Sequence, residues 1–199
     1  MGNRERLRPR LRPVEAADAS AGEAEGEVEA SPVNWHQSHR FDPVAAVISD
    51  RHYSRQKPGS PQFAPPGSCF VLTADGPCYW VTSWPYARYT KHAWAGAWMC
   101  SAFRREGGAQ ASTLILEAVA ATRAHYGDPP DLGMVTFIDR DKVPPLHTRK
   151  GDVYGWTYKK AGFKEVGFTK GGLLALQLLP EDMPEPERAI GGQIQMFAR

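Results

Sequence analysis

The segment Arg104-Arg105-Glu106-Gly107-Gly108-Ala109 combines cationic side chains with adjacent glycines just before a predicted helix. Backbone N–H groups at a helix start lack intrahelical partners, and with the positive end of the helix dipole they suit a pyrophosphate. A pyrophosphate-bearing cofactor is one explanation of this Arg-x-x-Gly-x-Ala pattern. A plain glycine-rich turn between a strand and a helix is the other, and the six residues alone leave both open.

A second group of candidates is aromatic and basic. Residues 84–94 interleave aromatic and basic side chains, which fits contact with single-stranded or flipped-out nucleic acid and equally a loop that covers the core. Most of the strand tryptophans are expected in the core, with one or two lining a pocket that stacks a flat base: Trp80, Trp84, Trp94 and Trp98. A further loop could neutralise phosphates of a cofactor or of DNA, or simply be solvated; its basic residues are Arg140, Lys142, His147, Arg149 and Lys150.

Other chemistries are disfavoured by the sequence. Cys69, Cys78 and Cys100 are widely spaced with no Cys-x-x-Cys pair, so neither a zinc site nor a disulfide framework is predicted. They lie in strand-like apolar segments that disfavour reactive thiolates, and we expect free thiols in a reducing cytoplasm. There is no Gly-x-Ser-x-Gly elbow of a serine hydrolase. No apolar run approaches the roughly 20 residues that span a membrane, so no membrane partner is predicted.

Hydrophobic periodicity and turn residues predict an α/β domain. The expected order is helix, three strands, helix, strand, helix and two strands, which gives a mixed sheet flanked by helices. The predicted ranges are 41–50, 69–74, 78–84, 94–103, 112–126, 133–138, 152–161, 163–169 and 173–179. We expect Asp42 to cap the first helix, Ser112 to cap the second, and Gly127 to end the second.

Both ends of the chain are predicted to be tails. Residues 1–32 contain almost no large apolar side chain, which is typical of disorder. Residues 181–199 begin with acidic residues and prolines and are predicted to be a second tail. A single domain is therefore expected over residues 33–180, where basic residues outnumber acidic ones and permit an anionic substrate or cofactor.

The element order and two local patterns resemble the GNAT acyltransferase superfamily. The pattern Arg104-x-x-Gly107-x-Ala109 lies where that family places its pyrophosphate loop. The segment Tyr158-Lys159-Lys160-Ala161-Gly162-Phe163 is similar to the Tyr-x-x-x-Gly-Phe helix end of the family. The resemblance covers residues 41–180 and implies a GNAT-like, mixed but mostly antiparallel central sheet flanked by helices.

The resemblance also implies a mechanism. The strand ending near Phe103 and the strand at residues 133–138 would splay apart to hold acetyl-CoA or another acyl-CoA. A backbone N–H would polarise the thioester carbonyl, an amine would attack, and Tyr158 would protonate the leaving thiolate. Packing beside Phe163 is the alternative role for Tyr158. The pyrophosphate would lie on Arg104, Arg105, Gly107, Gly108 and Ala109.

Shorter segments resemble phage Mom-type DNA modification proteins, a divergent GNAT-like group that alters adenine in phage DNA. The segments are His52-Tyr53, Phe103-Arg104-x-Glu106, Val135-Thr136-Phe137-Ile138-Asp139 and Gly151-x-Val153-Tyr154. This resemblance implies that four side chains converge in the cleft: His52, Tyr53, Asp139 and Tyr154. The histidine and the aspartate would be acid/base groups or ligands of an iron ion, and DNA would be the partner. A histidine beside a helix end is equally explained by the helix dipole.

Glu106 departs from the expected phosphate loop, because a carboxylate repels a pyrophosphate. It would point away, pair with Arg104 or Arg105, or act as a catalytic base in the cleft. The sequence thus predicts a GNAT-fold acyltransferase-like enzyme that modifies a DNA base. The alternatives are an N-acetyltransferase of a small amine or protein, and a non-catalytic nucleic-acid-binding module on the same fold.

Overall fold

The computed structural model describes residues 34–191; the predicted tail at residues 1–32 and the last residues, 192–199, lie outside this part. The described residues form a mixed α/β domain with a seven-stranded, mostly antiparallel sheet and three α-helices. The strands are β1 (Trp35–Ser38), β2 (Cys69–Ala74), β3 (Cys78–Ser83), β4 (Trp98–Arg105), β5 (Met134–Ile138), β6 (Leu146–Thr148), β7 (Gly151–Val153), β8 (Lys164–Phe168) and β9 (Leu174–Leu178). The helices are α1 (Pro43–Ser49), α2 (Ala111–Tyr126) and α3 (Trp156–Lys160).

The main sheet has the strand order β1-β2-β3-β4-β5-β9-β8, and among the described strands β4 and β5 are its one parallel pair. They pair at only three positions, from Trp98 opposite Met134 to Cys100 opposite Thr136. Beyond these positions β4 continues to Arg105 and β5 to Ile138 without pairing with each other. The two strands therefore separate toward their carboxyl ends.

A β-bulge in β4 accompanies this separation. β4 pairs with β3 at Cys100, opposite Thr82, and again at Ala102, opposite Val81, so Ser101 is an extra residue in the ladder. A bulge bends its strand and increases the local twist. Ser101 directly follows the last position at which β4 pairs with β5, so the bend begins where the opening begins.

The core lies on both faces of the sheet. Alternation along β3 directs Trp80 toward α2, and Tyr79 and Val81 toward α1. The larger cluster, on the α2 face, includes the fully buried side chains Trp35, Leu72, Trp80, Trp98, Leu114, Ile115, Met134, Leu174, Leu176 and Leu178. The smaller cluster joins α1 to β2 and β3 through Ala45, Ile48, Val71, Tyr79 and Val81.

Two of the three predicted helix ends are confirmed. Asp42 caps α1, because its Oδ1 accepts hydrogen bonds from the N–H groups of Val44 (2.8 Å) and Ala45 (3.0 Å), as predicted. Gly127 ends α2 with a φ of 86°, also as predicted. The predicted cap at Ser112 is wrong: α2 begins one residue earlier, and its N-cap Gln110 makes no side-chain capping hydrogen bond.

Some predicted ranges are wrong in detail. The range predicted as a helix over residues 152–161 begins with strand β7, which pairs with β6 in a separate hairpin, and α3 starts only at Trp156. Gly155 precedes α3 with a φ of 64°, a left-handed conformation that separates β7 from the helix. β4 begins at Trp98 rather than at residue 94. Strand β1 was not predicted, since only its first residue, Trp35, is a buried apolar side chain.

Residues 181–191 were predicted to belong to a tail, but they pack on the domain. The N–H of Ile190 donates to the carbonyl of Trp35 (2.8 Å), and the Ile190 carbonyl accepts from Gln37 N (3.0 Å). Met183 and Ala189 are buried in the larger core cluster. The segment was predicted to be a tail because acidic residues and prolines dominate its composition, whereas only a few apolar residues attach it to the domain.

Two negative findings concern the described residues. Within residues 34–191 no helix is long and apolar enough to cross a membrane. All three cysteines are free; Cys78 and Cys100 are buried, and Cys69 is half-buried.

The segment between β4 and α2 packs closely against the turn between β2 and β3. The N–H of Glu106 donates to the carbonyl of Pro77 (3.0 Å). A Cβ added to Gly108 would lie 2.6 Å from the carbonyl oxygen of Asp75, and one added to Gly76 would lie 2.5 Å from the Gly108 nitrogen. Close backbone packing therefore accounts for the glycine at position 108.

Substituting Gly108 by alanine should destabilise the domain more than the same substitution at Gly59. Both glycines have a left-handed φ, of 76° and 78°, but a Cβ at Gly59 meets no atom within 4 Å. We expect the free energy of unfolding to fall by about 1 kcal/mol in Gly59→Ala from strain alone, and by about 3 kcal/mol in Gly108→Ala. Urea denaturation followed by circular dichroism measures both. Equal losses would contradict the close packing.

Candidate functional site

The opening between β4 and β5 forms a cavity of about 510 Å³. Its walls come from the segment after α1, the carboxyl ends of β4 and β5, the loop after β5, the start of α2, and the start of α3. The lining residues are Arg51, His52, Tyr53, Phe103, Arg104, Arg105, Ala111, Thr136, Phe137, Ile138, Lys142, Val143, Pro144, Gly155, Thr157 and Tyr158. Four of these side chains are cationic and none is a carboxylate.

Two more cavities lie nearby, and one of them adjoins the first. A cavity of about 310 Å³ shares Tyr53, Phe137 and Lys142 with it as walls. A third, of about 630 Å³, lies on the α1 face of the sheet and shares Ser54 and Ser101 with the second.

Tyr158 reaches from α3 to the end of the β4–β5 pairing. Its hydroxyl lies 3.3 Å from Cys100 Sγ. Burial raises the pKa of Tyr158 well above its usual value and raises the pKa of Cys100 to about 12, so both groups are protonated at neutral pH. The ring also packs edge-on against Phe163 at 5.4 Å. Tyr158 therefore combines a packing role with a hydroxyl in the cavity wall.

His52 lines the cavity as a neutral ring. Its Nδ1 accepts a hydrogen bond from the N–H of Ser54 (3.2 Å), which places the proton of the neutral ring on Nε2. Burial, together with the positive charge of Arg104, lowers the pKa of His52 to about 4. The ring stacks on Tyr53 at 4.5 Å. A histidine with so low a pKa is a weak base, and it forms a planar aromatic wall instead.

Tyr53 and Asp139 meet in the second cavity. The Tyr53 hydroxyl donates to the carbonyl of Phe137 (3.2 Å), and burial raises the pKa of Tyr53. Asp139 Oδ2 lies 3.1 Å from Lys142 Nζ, and its Oδ1 accepts from the N–H of Asp141. The hydrogen bond from Lys142 lowers the pKa of Asp139, so its carboxylate is ionised and paired.

Glu106 is held by two arginines beside the cavity. Arg51 Nε and Arg104 Nε each donate to Glu106 Oε1 at 2.7 Å, and Arg51 Nη2 donates to Oε2. These hydrogen bonds lower the pKa of Glu106 to about 2. Of the roles predicted for Glu106, pairing with Arg104 is the one observed. Its low pKa argues against the role of catalytic base.

Part of the predicted site lies outside the cavity walls. Tyr154 packs against the larger core cluster and, unlike His52, does not line any of these three cavities. The glycines of the predicted cofactor loop do not line them either. Arg105 lines the first cavity, while its guanidinium donates to the carbonyls of Gly108 (2.9 Å) and Ala109 (2.5 Å).

The aromatic segment before β4 divides into a buried and an exposed part. Trp94 is buried and covers β5 through Phe137, as expected of a loop over the core. Tyr86 and Tyr89 are 73% and 70% exposed, and the guanidinium of Arg88 lies over both rings, at 5.5 Å and 4.8 Å. Of the five basic residues after β5, Lys142 is the one that lines the first cavity.

Several wall residues were not predicted. Arg51 directly precedes His52. A positive charge next to a candidate histidine is the sequence feature from which Arg51 could have been predicted as a site residue. Thr136 and Phe137 lie within a strand predicted to be buried, and no sequence pattern distinguishes them from core residues. They reach the cavity because β4 departs from β5 at this level.

The residues proposed for iron do not fit an iron site. Within residues 34–191 no three His, Cys, Asp or Glu side chains come together in a way that could hold a metal ion. His52 Nδ1 is occupied by Ser54, and the Asp139 carboxylate is occupied by Lys142.

Comparisons with known proteins do not identify a family. No family model, no curated protein and no solved structure matches the chain. The geometry of the cavity is therefore the basis on which a function can be proposed.

The neutral state of the half-buried His52 predicts a pH-dependent stability. The pKa is about 4 in the folded protein and 6.5 in the unfolded chain, so the unfolded chain binds more protons between these values. The free energy of unfolding should therefore fall as the pH is lowered from 6.5 to 4. In His52→Asn this decrease should be smaller by about 2 kcal/mol. Urea denaturation across this range tests it, and parallel curves for both proteins would contradict the assignment.

Proposed function

We propose that this protein is a GNAT-like acyltransferase that transfers an acyl group from a CoA thioester to an amine. The observation that carries the proposal is the separation of the parallel pair β4–β5 into a cavity of about 510 Å³. An extended thioester cofactor fits between such strands, because each strand offers backbone groups that the other no longer pairs with.

The positive end of the cavity would take the pyrophosphate. Ala111, the first residue of α2, lines the cavity, and the α2 N-terminus has no side-chain cap to compete for its N–H groups. Arg105 and Lys142 add positive charge to the same walls. In this proposal the first turn of α2 binds the phosphates, and Gly108 serves the packing of the turn.

The acyl group would lie beside the end of the β4–β5 pairing. A backbone N–H of β4 beyond Cys100 would polarise the thioester carbonyl and stabilise the oxyanion that forms on attack by the amine. The protonated Tyr158 would donate to the leaving sulfur. Because the pKa of Tyr158 is raised above that of a thiol, full proton transfer is uphill and the hydrogen bond to the thiolate is the main contribution. The attacking amine would release its proton to water, and the departing thiolate would take up a proton from water.

For the acceptor we propose an adenine base in DNA, as in a phage Mom-like modification protein. Two features support it: the flat wall formed by His52 on Tyr53, and the exposed rings of Tyr86 and Tyr89 with Arg88 between them. A flipped-out base is bound by stacking on such planes, and its flanking phosphates by basic side chains. The alternatives are a small amine or a protein amine as the acceptor, and a nucleic-acid-binding module without catalysis.

Tyr158→Phe should lower the turnover number for acyl transfer by about 10²-fold, since the leaving sulfur loses its donor. The Michaelis constant for acyl-CoA should change little. Tyr154→Phe is the matched control, because it removes the same hydroxyl from the same segment outside the cavity walls. Release of CoA thiol during turnover measures both variants. Full turnover in Tyr158→Phe would exclude Tyr158 as the donor.

Expression of the protein with a plasmid should create a modified deoxyadenosine in that DNA. Digestion to nucleosides and mass spectrometry detect the added group. The new mass should disappear in Tyr158→Phe and persist in Tyr154→Phe. Unmodified nucleosides, together with acylation of an added amine, would reject the DNA acceptor and retain the transferase. Absence of both reactions and of CoA binding would favour the binding module.

A further inference from the structure

Arg51, Arg104 and Glu106 form a cluster that connects two parts of the chain. Arg51 follows α1, whereas Arg104 and Glu106 lie at the end of β4. One carboxylate is shared by two guanidinium groups, so the cluster carries a net positive charge. Both arginines line the 510 Å³ cavity, and Glu106 is outside its walls.

The cluster lies on the α1 side of the sheet. Arg104 is opposite Tyr79 in the β3–β4 ladder, and Tyr79 packs with Ile48 of α1. The start of α2, which we propose to bind the CoA pyrophosphate, is on the other side. The cavity therefore has cationic groups at two separate places, and the proposed pyrophosphate position accounts for only one of them.

Glu106 is not the only group that positions the two arginines. Arg104 Nη1 donates to the carbonyl of Arg51 (2.7 Å), which links both residues without the carboxylate. The backbone of Glu106 is fixed by its hydrogen bond to Pro77, so its side chain can rotate away while the chain stays in place. The side chain of Arg51 is 47% exposed and that of Glu106 is 24% exposed, so an ion from solvent can reach the pair.

We infer that Arg51 and Arg104 are a binding site for a phosphate group of the ligand, and that the Glu106 carboxylate occupies this site until the phosphate displaces it. A phosphate offers more acceptor oxygens than a carboxylate and can therefore bind two guanidinium groups bidentately at once; a phosphate monoester or pyrophosphate also carries more charge. The released Glu106 side chain turns to solvent. This inference rests on the proposed function for the role of the cavity and adds the chemistry of its α1 side.

Glu106 is a permanent competitor rather than a pH switch. The arginines hold its pKa to about 2, so it is ionised throughout the physiological range. A neutral ligand offers the arginines no anionic partner in place of Glu106, so the carboxylate stays paired with them. The Glu106 carboxylate thus favours phosphate-bearing ligands over neutral ligands of the same shape. Only a phosphate replaces the ion pairs that Arg51 and Arg104 lose when Glu106 leaves.

The test compares Glu106→Gln with Glu165→Gln by calorimetric titration with inorganic pyrophosphate. Glu165 is a carboxylate paired with Lys159 outside the cavity walls, so both variants add the same charge to the protein. We expect pyrophosphate to bind Glu106→Gln about tenfold more tightly than Glu165→Gln, since the binding-competent state no longer has to release Glu106. This gain in affinity should disappear when Arg51→Gln is combined with Glu106→Gln.

Equal affinities of the two glutamine variants, a gain that survives Arg51→Gln, or no pyrophosphate binding to Glu106→Gln would each overturn the inference. A second measurement uses the unmodified protein and therefore does not depend on whether the variants fold. Pyrophosphate should shift the NMR signals of the Nε–H groups of Arg51 and Arg104 at constant ionic strength, and unshifted signals would also overturn it.

Repeating the titrations with CoA and with a short single-stranded oligonucleotide identifies the source of the phosphate. The ligand whose affinity depends on both Glu106 and Arg51 is the one that occupies the site. The outcome is separable from the proposed function, because pyrophosphate binding requires no acyl transfer. A protein without transferase activity that shows the Glu106 effect would retain this inference and reject the proposed function.

Discussion

Strands β4 and β5 stop pairing after Cys100 and Thr136, and the candidate site depends on this separation. Parallel strands in the middle of a sheet normally pair along their length, because unpaired backbone groups in a core are costly. Here the bulge at Ser101 bends β4 away, and side chains from α3 and from the segment after α1 enter the gap. The wall residues come from distant parts of the sequence because several elements meet at this one gap.

The electrostatics of the site divide into a neutral interior and a charged rim. Burial keeps His52 uncharged and keeps Tyr158 and Cys100 protonated, so the interior offers planar surfaces and hydroxyl donors. The arginines and Lys142 stand at the rim, and each has a carboxylate or carbonyl partner. A ligand with an apolar middle and anionic ends matches this division, since charge stays near solvent while the reacting group is enclosed.

Prediction from sequence succeeded where a local pattern determines local structure. The cap at Asp42, the end of α2 at Gly127 and the hairpin of β2 and β3 are set by residues within a few positions of each other. Prediction from sequence was wrong where a tertiary contact determines the local structure. The segment at residues 181–191 is held by an edge of the sheet, and the left-handed conformation of Gly155 separates β7 from α3.

The sequence by itself determined the alternation of helices and strands, the glycine turn before α2, and the presence of His52, Tyr53, Asp139 and Tyr158 as candidate groups. The tertiary structure decided which of these share a cavity and in what protonation state. Tyr154 has the same chemistry as Tyr158 but lies outside the walls, and Glu106 is an ion-pair partner. The reason is physical: propensity and periodicity act over a few residues, whereas burial and charge pairing depend on groups that only the folded chain brings together.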